Sequence, residues 1–241
     1  MLQFVQGDAF ELLGQMNDAS IGGVFTDIPY ASLEKHRSKG TTTRLAKSKA
    51  SSNEWFPVIP NARLPHLMAE LYRVLKPNTH CYVMCDQETM FHLKPAGELA
   101  GFTFWKPIIW DKATMGMGYH YRCQYEVVLF FEKGKRQLNN LGIADVIRAK
   151  RVHNGYPTEK PVELIKTVLS NSMRPDEVWL DPFCGSGATL AAADELGLNA
   201  MGFDVGHGSR QHVSNRFGER LTIADADGEL FVRRQQLQLF G

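Results

Sequence analysis

The sequence lacks long apolar runs and carries almost no net charge. No stretch approaches the roughly 18 apolar residues of a membrane span, and the first residues lack the pattern of a secretory signal. We therefore expect a cytoplasmic protein without a membrane partner. The 241 residues suffice for one α/β domain over residues 1–241, with little room for a second.

Cysteine is also scarce, with Cys81, Cys85, Cys123 and Cys184 as the four examples. They form no C-x-x-C pair and have no histidine at zinc-finger spacing, so a structural zinc is not indicated. A disulfide framework is not indicated either. We interpret the four as reduced, mostly buried thiols and predict no metal site.

The formal net charge of +1 argues, taken alone, against a nucleic-acid partner. The distribution of charge argues otherwise. Residues 31–50 carry six cations against Glu34, and residues 133–151 carry six against Asp145, which leaves the rest of the chain acidic. An acidic body with two basic tracts suggests a surface for a polyanion, although solvated loops would have the same composition.

Apolar runs and helical periodicity alternate along the chain. Short apolar runs predict strands at residues 21–26, 81–84, 102–110, 126–131, 178–180 and 200–203. Helical spacing and start signals predict helices at 64–75, before Gly101, from Pro161 onward and at 188–196. This alternation predicts an α/β fold with a doubly wound, mostly parallel sheet covered on both faces.

A glycine-rich segment, Asp181-Pro182-Phe183-Cys184-Gly185-Ser186-Gly187, joins a predicted strand to a predicted helix. Glycines there let backbone N–H groups approach a ligand, and the helix N-terminus favours an anionic group. The segment is neither a P-loop nor a complete dinucleotide fingerprint. Asp204 ends the next predicted strand, where a carboxylate can bind a ribose diol. The pair predicts a nucleoside cofactor without a pyrophosphate; a structural turn and a solvated acid are the alternative.

The second motif, Thr26-Asp27-Ile28-Pro29-Tyr30, directly follows a predicted strand. The two motifs together resemble the D-P-P-Y and F-x-G-x-G motifs of the amino-methyltransferases of DNA. Their order, catalytic motif first and cofactor motif last, resembles the permuted beta group of that family. Three further segments match in order: Gln6 to Ala9, Arg122 to Gly134 (R-x-x-x-E-x-x-L-x-F-x-x-G), and Tyr156 to Pro161, which resembles H-P-T-Q-K-P.

The resemblance implies a Rossmann-like methyltransferase fold with circularly permuted motifs. It also implies transfer of a methyl group from S-adenosylmethionine to the N6 amino group of adenine in double-stranded DNA. The residues that it assigns to catalysis are Asp27, Ile28, Pro29 and Tyr30. Those that it assigns to the cofactor are Asp8, Thr158, Lys160, Pro161, Asp181, Phe183, Gly185, Gly187 and Asp204.

A loop at residues 31–55 follows the catalytic motif, so we expect its cations to contact the DNA backbone. These cations are Lys35, Arg37, Lys39, Arg44, Lys47 and Lys49. An insert around residues 134–155 is the predicted target-recognition element, with side chains that suit base edges. The candidates in this insert are Asn139, Asn140, Arg148, Arg151 and Asn154. Trp55 and Phe56 are interpreted either as a wedge in the duplex or as core anchors.

The sequence departs from the family pattern at three positions. Ile28 replaces a proline, Glu159 a glutamine and Tyr156 a histidine. Two alternatives to adenine methylation stay open. One is methylation of cytosine at N4, although those enzymes more often carry serine where Asp27 stands. The other is a DNA-binding regulator that retains the fold without catalysis.

The tail at residues 233–241 contains Gln236-Leu237-Gln238-Leu239-Phe240. This pentapeptide resembles the Q-L-S/D-L-F peptide with which bacterial replication and repair proteins bind the DNA sliding clamp. The resemblance predicts clamp binding through Gln236 to Phe240. The alternative is a terminal segment whose Leu237, Leu239 and Phe240 pack on the body. Self-association as a homodimer is a further expectation.

Overall fold

The structure, a computed structural model, describes residues 1–31, 57–116, 120–153, 156 and 158–226. Several predicted functional segments lie outside these residues. They are the loop cations Lys35, Arg37, Lys39, Arg44, Lys47 and Lys49, the aromatic pair Trp55 and Phe56, Asn154, and the tail at 233–241.

Nine strands and six α-helices are present in the described residues. The strands are β1 (Leu2–Gln6), β2 (Ile21–Asp27), β3 (Leu75–Cys85), β4 (Thr103–Asp111), β5 (Tyr125–Lys133), β6 (Val146–Arg148), β7 (Val178–Asp181), β8 (Asn199–Asp204) and β9 (Leu221–Asp225). The helices are α1 (Ala9–Gln15), α2 (Leu64–Val74), α3 (Met90–Ala100), α4 (Val162–Ser172), α5 (Ala188–Glu195) and α6 (His207–Phe217).

The described strands form one sheet in the order β6-β4-β5-β3-β2-β7-β8-β1-β9. β5 runs antiparallel to both of its neighbours, β3 and β4, whereas the other described pairs are parallel. β2, which carries the Asp27 motif, lies directly beside β7, which carries the glycine-rich motif. The carboxyl ends of these two strands therefore open at the same edge of the sheet.

Two apolar clusters cover the two faces of the sheet. One joins α1, α2 and α3 to it, with side chains such as Leu12, Leu67 and Leu93 fully buried. The other joins α4, α5 and α6, for example through Leu164 and Leu190. In α2 the buried positions recur every three or four residues, so one stripe of the helix faces the sheet. The doubly wound α/β prediction is thus confirmed.

All six predicted strands and all four predicted helices are present, with ends shifted by a few residues. Three strands, β1, β6 and β9, and two helices, α1 and α6, were not predicted from the sequence. α6 was not predicted because its sequence is polar and buries only Ser209, Val213 and Phe217. No helix among the described residues is long and apolar enough to cross a membrane.

Candidate active site

A cavity opens where β2 and β7 end, and it brings together most of the predicted site residues. All four predicted catalytic residues and seven of the nine predicted cofactor residues line it. They are Asp8, Asp27, Ile28, Pro29, Tyr30, Thr158, Lys160, Asp181, Phe183, Gly185 and Asp204. Segments that are distant in sequence therefore form one concave site, as expected for a ligand pocket in an α/β sheet.

Asp181 fastens the two motifs to each other. Its carboxylate accepts hydrogen bonds from the hydroxyl of Thr26 at 2.7 Å, from that of Thr189 at 2.6 Å and from the backbone N–H of Phe183 at 3.1 Å. Burial raises the pKa of Asp181 to about 6 in spite of these donors. Thr26 directly precedes Asp27, and Thr189 lies in α5, which follows the glycine-rich loop. The two oxygens of Asp181 therefore connect the Asp27 motif to the glycine-rich motif.

Asp27 ends β2 with 27% of its side chain exposed. The ammonium Nζ of Lys160 lies 2.5 Å from its Oδ2 atom and 3.5 Å from Oε2 of Glu126. Burial raises the pKa of Asp27, an effect that the charge of Lys160 opposes and that of Glu126 reinforces. Lys160, which the resemblance assigns to the cofactor, thus contacts the predicted catalytic carboxylate directly.

The rest of the Asp27 motif is held in place by its backbone and by burial. The side chain of Ile28 is buried, and its N–H contacts the carbonyl of Met84 at 3.4 Å. The carbonyl of Pro29 accepts a 2.6 Å hydrogen bond from Ile59. Tyr30 is half-buried on the cavity wall, and burial raises its pKa, so its phenol stays neutral.

Asp204 ends β8 and contacts the glycine-rich loop. Its two oxygens accept backbone N–H groups, from Gly185 at 2.8 Å and from Gly206 at 2.7 Å. Burial raises the pKa of Asp204, and these two donors oppose that effect. Gly185 has a φ of +50°, a conformation that residues with a side chain rarely adopt. Its backbone therefore turns sharply beside the carboxylate that was predicted to hold a ribose.

Asp8 lines the cavity close to Asp204, because the N–H of the preceding Gly7 donates to the carbonyl of Asp204 at 3.0 Å, and it caps α1. Its Oδ1 atom accepts the N–H groups of Phe10 at 2.9 Å and Glu11 at 3.3 Å. Phe10 and Arg63 also line the cavity, with the guanidinium carbon of Arg63 only 3.7 Å from the centroid of the Phe10 ring. Neither Phe10 nor Arg63 was predicted, because a lone aromatic and a lone cation give no distinctive pattern in sequence.

Two predicted cofactor residues do not line the cavity. Pro161 immediately precedes α4, where its carbonyl accepts the N–H of Leu164 at 3.2 Å. Gly187 begins α5 with a φ of +75°, and a Cβ atom there would lie 2.9 Å from Val213 and 3.0 Å from Phe217. Both residues thus have structural roles, and the direct cofactor contact predicted for them stays a prediction.

Two departures from the family pattern have partners on or beside α6. The phenol of Tyr156 lies 2.8 Å from the hydroxyl of Ser209. Glu159, which is almost fully buried, forms a 2.8 Å ion pair with Arg216. Arg216 also donates to the carbonyl of Ser186 at 3.2 Å. It thereby links the Tyr156 segment to the glycine-rich loop.

With this geometry in view, comparison with known proteins identifies the family. A family model described as a DNA methylase, that of the N6/N4 methyltransferases, matches residues 21–213. The chain belongs to the DNA methylase family.

Individual relatives agree with this DNA methylase assignment. YubD of Escherichia coli K12, named as a methylase, is 28% identical over 210 residues that cover 85% of each chain. Among solved structures, an M1.HpyAVI–SAM complex has a TM-score of 0.67 at 21% identity, covering 90% of this chain and 99% of that one. The cytosine-N4-specific PvuII DNA methyltransferase has a TM-score of 0.72 at 14% identity, covering 98% and 90%. At these identities, the two structures show the fold alone.

The basic tract of this DNA methylase at 133–151 is less available to a partner than its composition suggests. Lys133 donates to the carbonyls of Tyr72 and Leu75 at 2.6 and 2.7 Å. Arg136 pairs with Glu177 and is largely buried. Arg148 pairs with Asp111 at 2.8 Å but stays 75% exposed, and Arg151 is exposed.

Asn139 and Asn140 of the predicted recognition insert are engaged within the fold. The amide of Asn139 donates to the carbonyls of Ser170 and Met173 at 2.8 and 3.1 Å, which fixes the end of α4. The side-chain oxygen of Asn140 accepts the N–H of Gly142 at 2.8 Å. The amide nitrogen of Asn139 and the side-chain oxygen of Asn140 thus bind local backbone atoms, and the reading of base edges by these residues stays a prediction.

Proposed function

We propose that this DNA methylase transfers a methyl group from S-adenosylmethionine to the N6 amino group of adenine in double-stranded DNA. The observation that carries the proposal is that Asp27, the glycine-rich loop and Asp204 line one cavity. The same cavity thus contains a carboxylate that can accept hydrogen bonds from an amino group and a backbone turn that a nucleoside cofactor can approach closely.

The residues of the cavity fit the proposed cofactor. Asp204 is an acceptor for a ribose diol at the end of β8, and the glycine-rich turn beside it brings backbone close without a side chain. Close to Asp204, Asp8 and the apolar face of Phe10 suit a purine ring with polar edges. When bound, S-adenosylmethionine supplies a sulfonium methyl group, a strong electrophile.

The target nitrogen needs activation, because the lone pair of an exocyclic amino group is delocalised into the ring. In the proposed reaction, the Asp27 carboxylate and the Ile28 carbonyl each accept one amino hydrogen. The lone pair would thereby be directed away from the ring and toward the methyl group. As the nitrogen–carbon bond formed, the methyl–sulfur bond would break, the cofactor would leave as a neutral thioether, and the nitrogen would lose one proton. The negative charge of Asp27 also stabilises the positive charge that develops on nitrogen.

Tyr30 completes the proposed target site. Its half-buried ring lines the cavity beside Asp27 and stays neutral, which suits stacking on a base. A base in duplex DNA reaches such a cavity only by leaving the helix. Exposed Arg148 and Arg151 are the described candidates for contacts with base edges of the duplex.

Adenine is favoured over cytosine by Asp27, because the cytosine-N4 enzymes of the family more often carry serine at this position. The fold does not discriminate, since a cytosine-N4 enzyme has a TM-score of 0.72 with this chain. The proposal for adenine therefore rests on the identity of one side chain.

The experiment is transfer of a labelled methyl group to mixed-sequence double-stranded DNA, followed by mass spectrometry of the nucleosides. N6-methyladenine is the expected product. N4-methylcytosine would overturn the choice of base and leave the reaction class intact. Binding of DNA without any methylated nucleoside would support the non-catalytic regulator instead.

A further inference from the structure

Four side chains of alternating charge form a buried row that ends at Asp27. Lys112, just after β4, lies with its Nζ atom 3.2 Å from Oε1 of Glu126 on β5. The other carboxylate oxygen of Glu126 lies 3.5 Å from Lys160, which in turn lies 2.5 Å from Asp27. We call Lys112, Glu126, Lys160 and Asp27 the charge row.

The charge row is well shielded from solvent. The side chains of Lys112 and Lys160 are 10% and 13% exposed, and that of Glu126 is 24% exposed. Removing two cations from water costs free energy unless each has an anionic partner. The alternating charges of the row supply such a partner for both lysines. Burial favours the neutral form of Glu126, but Lys160 and Lys112 outweigh it and lower its pKa.

Other titratable groups face Asp27 from neighbouring strands. Asp181 approaches from β7, Cys85 from the end of β3, and Tyr30 from the loop after β2. Burial raises the pKa of Cys85 and Tyr30, so both are neutral. Asp181 is a further carboxyl group close enough to sense the charge of Asp27; burial, with a smaller contribution from that charge, raises the pKa of Asp181 to about 6.

Resting on the function proposed above, we propose that Glu126 and Lys112 are positioning residues that act on Asp27 through Lys160. Lys160 keeps Asp27 ionised before the target base arrives. An incoming amino group needs a carboxylate oxygen of Asp27, and Lys160 already contacts one. Glu126 provides a second carboxylate for Lys160. The ammonium group can therefore release the Asp27 oxygen to the incoming amino group and still keep an anionic partner. Lys112 holds Glu126 in place from the other side.

The first test measures Asp27 itself in the cofactor-free protein, by ¹³C NMR of labelled aspartate carboxyl groups over a range of pH. The Asp27 signal is assigned by its loss in Asp27→Asn. Lys160→Met removes a stabilising cation and should raise the titration midpoint of Asp27. Glu126→Gln removes a neighbouring anion and should lower it. Lys112→Met should raise it by less than Lys160→Met does.

Two controls accompany these variants. Lys166→Met removes a cation on α4 that pairs with Glu163 and Glu195, and it should leave the Asp27 midpoint unchanged. Lys160→Arg retains the charge and should keep the midpoint close to that of the wild type. If Lys160→Met fails to fold, Glu126→Gln and Lys112→Met still test the opposite directions.

The second test is the pH profile of kcat at saturating DNA and cofactor. Activity falls as pH drops through the pKa of Asp27, so the acidic limb should move to higher pH in Lys160→Met and to lower pH in Glu126→Gln. On that limb, rates change up to about tenfold for each unit that the midpoint moves. Cofactor affinity, measured by calorimetry, should be unchanged in both variants.

The proposal is overturned if both variants move the Asp27 midpoint in the same direction, or if neither moves it. It is also overturned if Lys160→Met weakens cofactor binding as much as it slows transfer, which would return Lys160 to the cofactor. Failure of the proposed function gives a different result, namely a wild-type protein that methylates no adenine while its carboxyl titrations still follow the predicted order.

Discussion

The charge row differs from a second buried polar cluster, which lies midway along β3 beneath the end of α4. In this second cluster, the hydroxyl of Ser172 lies 2.8 Å from Nδ1 of His80 and 2.5 Å from the phenol of Tyr82. Nε2 of His80 lies 3.1 Å from the carbonyl of Arg136 and 3.6 Å from a carboxylate oxygen of Glu132. We call His80, Tyr82, Glu132 and Ser172 the His80 cluster.

The His80 cluster contains serine, histidine and glutamate in contact, the residue types of a nucleophilic triad. Yet Ser172 is completely buried and His80 is 1% exposed, so no substrate reaches the hydroxyl. Burial also lowers the pKa of His80, which keeps the ring neutral. Tyr82 and Glu132 line a second cavity, but Ser172 and His80 do not. In contrast, Asp27 and Lys160 of the charge row themselves line the candidate active site. Residue type alone therefore does not indicate a reactive cluster, since the groups that would react must also line a cavity.

The largest expected effect, and the strongest test of this comparison, comes from mutating Asp27, which ends the charge row at the cavity. Asp27→Ala should reduce methyl transfer at least about a hundredfold, because it removes the charge that stabilises the reacting nitrogen. Cofactor affinity should stay close to that of the wild type. Single-turnover transfer and calorimetry measure the two quantities. Asp27→Asn, which preserves shape, is the matched variant and should lose transfer as well. Transfer above a tenth of the wild-type rate would contradict the catalytic assignment of Asp27.

At the cofactor end of the same cavity, a substitution should weaken cofactor binding more than it slows methyl transfer. Asp204→Ala should weaken S-adenosylmethionine binding at least about tenfold, or about 1.4 kcal/mol, because an acceptor for the ribose is lost. The matched control is Asp225→Ala, since Asp225 ends the edge strand β9 and pairs with Arg210 on the surface. Calorimetry that finds equal affinity for wild type and Asp204→Ala would remove Asp204 from the site.

A substitution in the His80 cluster should instead lower the stability of the protein and leave its activity unchanged. Ser172→Ala removes a partner of both His80 and Tyr82, so we expect a loss of about 1–3 kcal/mol in unfolding free energy with kcat unchanged. Urea denaturation measures the former. Ser170→Ala is the control on the same helix, because Ser170 donates only to the carbonyl of Thr167. A loss of activity in Ser172→Ala without a loss of stability would give this cluster a catalytic role.

The smallest expected effect comes from replacing Glu159 with glutamine, the residue that the family usually has at this position. Glu159→Gln keeps an oxygen for the N–H of Tyr156 but removes the charge that pairs with Arg216. Because Arg216 also holds the carbonyl of Ser186, cofactor affinity should fall about twofold to fivefold, below about 1 kcal/mol. Glu163→Gln, in the first turn of α4 and exposed, is the control. Tighter cofactor binding by Glu159→Gln would contradict the linking role of Arg216.

Much of the site's framework could be predicted because it depends on the order of strands. The Asp27 motif and the glycine-rich motif each follow an apolar run, and in a doubly wound sheet such ends meet. This prediction is confirmed by the pairing of β2 with β7. Asp204 was predicted on the same reasoning, as the residue that ends the next strand.

The contact of Lys160 with Asp27 could not be predicted in this way. Lys112, Glu126, Lys160 and Asp27 come from four segments, and no periodicity or spacing indicates that their charges alternate in space. The family resemblance even assigned Lys160 elsewhere. Likewise, composition could not show that Lys133 and Arg136 are engaged internally, because a cation beside a carbonyl has no signature in sequence.

The sheet order has a consequence for synthesis of the protein on the ribosome. β1 and β2 are made early, yet β1 lies between β8 and β9, and Thr26 bonds to Asp181, 155 residues later. Contacts between such distant segments form slowly, and only after the later segment has emerged. A nascent chain therefore has no complete cavity until Asp204 has left the ribosome. Translation itself thus delays the appearance of methylating activity, and a chain that terminates before Asp204 lacks part of the cavity.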